Sequence, residues 1–118
     1  MKDRPAPDRS RRMSLMSDYG CEFPVWTKYG RDNEANLALS VSLAQDLRVW
    51  QDVFEHGFDS ERGWTTADGE ERYARAAPGL RDRLISEVGS NYDVVLDAWP
   101  VKDLRLREWL ATQGQWIG

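Results

Sequence analysis

Between residues 43 and 54 the apolar side chains fall on a helical beat. Leu43, Leu47, Trp50 and Phe54 are spaced four, three and four apart, which stacks them on one face. Val49 and Val53 widen that stripe, while Gln45, Asp46, Arg48, Gln51, Asp52 and Glu55 lie mostly opposite. Ser42 followed three residues later by Gln45 fits a capping box, in which each side chain satisfies the other residue's orphaned backbone N–H. Gly57 supplies the stop. The spacing predicts an amphipathic helix with one face in a core.

The same beat returns from about Asp68 to Val88, where Tyr73, Ala77, Leu80, Leu84 and Val88 follow the helical step and Asp68 and Glu71 are spaced as a second capping box. Pro78 and Gly79 interrupt it. A proline inside a helix deletes one backbone bond and clashes with the preceding turn, at a cost of ~3 kcal/mol. The apolar phase nevertheless runs across the break, which predicts a kinked helix or two helices in line, capped by Gly89. A short third helix begins at Asp103, turns Leu106, Trp109 and Leu110 inward and closes at Gly114.

Elsewhere the period is two. Tyr92, Val94, Leu96 and Ala98 alternate with Asp93, Val95, Asp97 and Trp99 before Pro100, the signature of a half-buried strand. Residues 21–29 place Phe23, Val25 and Thr27 on one side and Trp26 on the other; Pro24 cannot donate to a ladder, which makes this an edge strand. Residues 30–36 read as a polar loop, and Leu37, Leu39 and Val41 as an extended lead-in to the first helix. The order predicts an α+β fold, two to three helices packed on a small sheet with an edge strand; an all-α bundle with irregular flanks is the alternative.

Residues 1–15 stand apart. They carry two prolines and no apolar periodicity, and residues 1–13 hold a net charge of +3, the composition of a disordered basic arm. Met13 and Met16 are alternative starts that would shorten it. The single globular domain is expected to occupy residues 16–118. Charge then changes the picture, because residues 14–118 hold 11 basic and 18 acidic side chains, a net of −7 against −4 for the whole chain. An acidic body repels a polyanion, so nucleic-acid binding by the folded part is not expected, whereas a partner with a basic surface is favoured by electrostatic steering. Arg72, Arg75, Arg81 and Arg83, interleaved with Glu70, Glu71 and Asp82, read as a salt-bridged solvent face.

The chemistry-bearing residues are few. Cys21 and His56 are the only ones of their kind, too few for a structural zinc site, which needs four ligands. Cys21 reads as a small buried hydrophobe and His56 as a cation at a helix C-terminus. Asp52, Glu55, Asp59 and Glu61 lack the calcium-loop pattern of alternating oxygen ligands around a glycine, and no phosphate-binding glycine loop occurs. No catalytic residue, cofactor or metal is assigned. No apolar run approaches the ~20 residues that cross a bilayer, so no membrane association is expected and the location is expected to be cytoplasmic.

Six tryptophans remain to be placed. Trp50 and Trp109 fall in helical core stripes. Trp26, Trp64, Trp99 and Trp116 sit at element ends, where an aromatic either closes the core or anchors a partner. With Asp59 and Glu61 of the turn after the first helix, these four are the candidate partner-binding residues.

From SDYGCEFPVW through FEHGFDSERGW to YDVVLDAWPV, roughly residues 16–101, the chain resembles small uncharacterised acidic proteins of high-GC bacteria. The resemblance carries no activity, catalytic residue or cofactor; small acidic proteins of this sort are found beside toxins as their immunity partners. Two readings follow. One is a non-enzymatic interaction module, of the immunity type or a regulatory partner, that covers a basic protein surface. The other is a small enzyme or ligand-binding domain using the Cys21, His56 and Trp64 region. A homodimer stays open, through an edge strand beside Pro24 or through 92–99.

Overall fold

A computed structural model describes residues 11–27, 30–31, 37–113 and 116–117, with 30–31 and 116–117 placed as backbone only. The elements run β1 (Arg12–Leu15), β2 (Val25–Thr27), β3 (Gly30–Arg31), α1 (Val41–Gly57), β4 (Phe58–Asp59), β5 (Gly63–Trp64), α2 (Ala67–Val88), β6 (Asp93–Asp97), α3 (Leu104–Ala111) and β7 (Trp116–Ile117). Three helices pack with a five-stranded sheet of order β3-β2-β1-β6-β7, while β4 and β5 form a separate hairpin. The fold is α+β.

The sheet corrects the reading of the N-terminus. Arg12–Leu15 are not part of an arm: β1 is the central strand, antiparallel to β2 through Ser14↔Trp26 and parallel to β6 through Arg12↔Asp93 to Leu15↔Leu96. The physical reason is period two on a short scale. Met13 and Leu15, both 0% exposed, point into the core, while Arg12 and Ser14 alternate with them. Residues 1–10 of the expected arm lie outside the described residues, as does Gly114. β6 behaves as its alternation predicts, with Val94, Leu96 and Ala98 buried. Neither segment proposed for edge pairing is an edge: β2 is flanked by β1 and β3, and β6 by β1 and β7. The true edges are two residues long. Short edges are one of the ways sheets avoid unwanted pairing.

One core joins the inner sheet face (Met13, Leu15, Val25, Val94, Leu96) to Leu43, Leu47, Trp50 and Phe54 of α1, Tyr73, Ala77, Leu80 and Leu84 of α2, and Leu106 and Leu110 of α3. Trp50 is the keystone. Its ring stacks on Tyr73 at 4.3 Å and its Nε1–H donates to the Tyr73 carbonyl at 2.9 Å. Burial pushes the pKa of the Tyr73 hydroxyl up.

The helix caps differ from the expected boxes. α1 is capped by Ser40, whose Oγ accepts from Leu43 N–H at 3.1 Å, and α2 by Thr66, whose Oγ1 accepts from Gly69 N–H at 3.0 Å. Ser40 is selected over Ser42 by a tertiary contact. The Glu87 carboxylate of α2 accepts from both the Ser40 N–H and its hydroxyl at 2.6 Å, and these bonds hold the Glu87 pKa below its ordinary value. Asp103 caps α3 as its position predicts. α2 runs unbroken through Pro78, which is buried on the helix. Gly57 is the last residue of α1, with Phe58 as the C-cap, and its bare α-carbon admits the Trp64 ring, which a Cβ would meet at 3.1 Å.

Two buried charges tie the C-terminal segment to α2. Arg81, 6% exposed rather than solvent-facing, donates to the Gln113 carbonyl at 2.6 Å and to Asp82. Glu70 accepts from the backbone N–H groups of Lys102 and Asp103 at 2.6 and 2.8 Å, fixing the start of α3. Removing one partner from a charge-assisted bond leaves buried donors unsatisfied. Glu70→Ala is therefore expected to lower stability by about 1.5–3 kcal/mol, read from urea titration, with Glu70→Gln recovering much of the loss because its carbonyl still accepts.

Candidate partner-binding surface

The loop after β1 crosses the C-terminal half of α1 and is lashed to it. Gln51 Nε2 donates to the Asp18 carbonyl at 2.8 Å and to Glu55 Oε1 at 2.9 Å, and the same Glu55 oxygen accepts from Gly20 N–H at 2.7 Å. Gly20 makes this turn at φ +69°, a left-handed conformation that side-chain-bearing residues rarely adopt. The turn holds Tyr19 outward, 50% exposed, at the edge of an aromatic cluster. Its ring lies 5.3 Å from Phe54, 6.4 Å from Phe58 and 6.0 Å from Trp99.

Near Tyr19 opens a shallow hollow of about 470 Å³. Glu22, Asp52 and Glu55 supply its acidic wall, Arg48 is its single basic side chain, and Cys21 and Gln51 are its buried members. Gln51 is 2% exposed, and its Oε1 has no hydrogen-bond partner among the described residues. Arg48 lies over the Phe23 ring at 5.3 Å. The surface is thus an aromatic patch with an acidic border, a combination suited to arginine and lysine side chains by charge and by cation–π contact.

The structure gathers some of the candidates predicted from sequence and separates others. Trp64 and Trp99 both pack on Phe58, at 5.5 and 5.7 Å, and are half-buried against the core; Trp64 Nε1–H donates to the Pro100 carbonyl at 3.1 Å. Asp59 sits in the same hairpin, where Oδ1 accepts from the N–H groups of Arg62 and Glu61 and those bonds lower its pKa. Glu61 is exposed in that turn. Trp26 lies apart, its Nε1–H donating to the Met16 carbonyl at 2.9 Å. Trp116 pairs its backbone with Leu96 in β7, its side chain falling outside the described residues. Trp109, half-buried, carries the Arg75 guanidinium over its ring at 4.6 Å.

The residues of the alternative reading have separate attachments. Cys21 is buried with Sγ donating to the Phe23 carbonyl at 2.9 Å. His56 sets Nδ1 against the Asp52 carbonyl one turn back in α1. Among the described residues no group of three His, Cys, Asp or Glu side chains could hold a metal ion, and no helix is long and apolar enough to cross a membrane. Sequence reasoning missed Tyr19 and Gln51. Tyr19 lay within a loop, and the contacts that expose it depend on Glu55, distant in the chain.

An α+β body that offers an aromatic and acidic surface, with the indoles of Trp26, Trp50 and Trp64 held by internal hydrogen bonds, defines a protein-interaction module. The chain belongs to the Serratia CdiI immunity protein-like family, whose model matches residues 11–98. That match begins one residue before β1 and ends one residue after β6, so it spans the central strand pair and the two long helices. No curated protein matches the chain. It is an immunity-type protein-interaction module.

Proposed function

We propose that this module neutralises a toxin by covering a basic surface on it, and that the toxin docks on the acid-bordered aromatic patch around Tyr19. The carrying observation is Tyr19 itself, an exposed ring held by a lashed turn whose next residue, Gly20, lines the hollow with Glu22, Asp52 and Glu55. Aromatic anchors surrounded by charge are where binding energy concentrates, and opposite charge accelerates encounter. Trp99, Trp64, Asp59 and Glu61 extend the same surface. We place the encounter in the cytoplasm, where the lone Cys21 thiol would remain reduced.

The test is titration of a candidate toxin domain, by calorimetry for affinity and by stopped-flow for association rate, at low and high salt. Tyr19→Ala is expected to weaken binding about 30-fold, equivalent to the ~2 kcal/mol of a binding hot spot. Glu22→Lys and Asp52→Lys are expected to slow association and reduce its salt dependence. Unchanged affinity in all three variants would sink the assignment of this surface.

A further inference from the structure

Gln51 is out of keeping with its surroundings. It stands four residues after Leu47 and three before Phe54, at the margin of the buried stripe of α1, and it is 2% exposed. Its amide nitrogen is satisfied, donating to the Asp18 carbonyl at 2.8 Å and to Glu55 Oε1 at 2.9 Å. Both partners are acceptors, which fixes the amide this way round. Its amide oxygen is buried with no hydrogen-bond partner among the described residues. A buried polar atom left unpaired lowers stability, and a methionine of similar length would avoid that loss. Stability alone does not account for a glutamine here.

The groups it serves would not be stranded without it. The Asp18 carbonyl also accepts from Cys21 N–H at 3.2 Å, and Glu55 is an exposed residue whose carboxylate water can solvate. What the amide adds is position. Tyr19 lies between its two attachments, the Asp18 carbonyl on one side and, through Glu55 Oε1, the Gly20 N–H at 2.7 Å on the other. Gly20, at φ +69°, has the wide backbone freedom of a residue without a Cβ and no side chain to hold it. One buried amide thus restrains both chain neighbours of the exposed ring.

We propose that Gln51 is a positioning residue for toxin recognition: it makes no contact with the toxin, and it raises affinity by holding the Tyr19 turn in its binding geometry beforehand. The inference rests on the Tyr19 surface proposed above. A turn already ordered in the free protein loses less conformational entropy on association, and that difference appears as affinity. A position kept for function against stability carries a signature, because replacing it leaves the fold as strong or stronger and weakens the activity. Gln51 is also uncharged, so its effect is separable from the electrostatic steering that Glu22 and Asp52 supply.

Gln51→Met carries the test, measured alone and together with Tyr19→Ala. In the free variant the Gly20 amide is expected to exchange with solvent about tenfold faster, by nuclear magnetic resonance, while the melting midpoint stays level or rises. Titration with a candidate toxin domain should show binding weakened about fivefold. The same substitution in a Tyr19→Ala chain should change affinity by less than about twofold, since a truncated ring gains nothing from a fixed turn. A loss of equal size in both backgrounds would mean that Gln51 acts on the fold or touches the toxin, and it overturns the proposal. So does unchanged affinity, unchanged exchange at Gly20 or a lowered midpoint. Wild-type affinity in Tyr19→Ala alone is a different failure, which removes the surface itself and this role with it.

Discussion

A chain beginning at Met16 is expected to lose cooperative unfolding, whereas one beginning at Met13 is expected to keep it. The difference is three residues. Met13–Leu15 fill the centre of the sheet, hydrogen-bonded to β2 on one side and β6 on the other. Losing them empties the space of two fully buried side chains, each worth about 2–5 kcal/mol in a core, and exposes the facing ladders of both neighbours. Against a total stability of ~5–15 kcal/mol, little or nothing remains. Urea titration followed by far-ultraviolet circular dichroism checks this, and a sharp transition in the Met16 chain would show that β1 is dispensable.

Trp50→Ala is expected to cost about 3–5 kcal/mol and to lower the melting midpoint by on the order of 15 °C. The residue fills the core where α1 crosses α2, and its loss removes the stack on Tyr73, the bond to the Tyr73 carbonyl and a large apolar volume together. Trp50→Phe should lose less, since part of the stack survives while the donor and part of the ring volume disappear together. Equilibrium denaturation of the two variants checks the order. Equal losses would mean that the indole N–H and the volume missing from phenyl carry the whole contribution.

Trp50 was legible because long amphipathic stripes announce themselves, and so were α1, β6 and the cap at Asp103. β1 was not. Its alternation of Arg12, Met13, Ser14 and Leu15 lasts four residues and follows a segment rich in proline and arginine, so composition outweighed period. Its partners, 93–96, lie at the other end of the chain. The same limit governs Ser40 and Arg81. Ser42 makes as good a local cap, and only the Glu87 carboxylate decides for Ser40. Arg81 sits in a charged helix face by pattern, yet the Gln113 carbonyl draws it inward.

Of the tryptophans at element ends, Trp64 and Trp99 fall in the same aromatic cluster as Tyr19, but their indole or backbone N–H groups are already engaged. The outward aromatic is instead a tyrosine in a turn, placed by Gly20 and Glu55. Local pattern identifies what must be buried; a surface that binds is made by distant segments meeting.

The parallel pairing of β1 with β6 also sets an order of events during synthesis. Residues 12–15 leave the ribosome first, yet their parallel partner, 93–96, follows only after both long helices have been made. Contacts this distant along the chain close slowly, because the intervening loop entropy must be paid before the ladder rewards it. The sheet therefore closes only after both long helices have been made, so the helices exist before the ladder that joins the two ends of the matched segment.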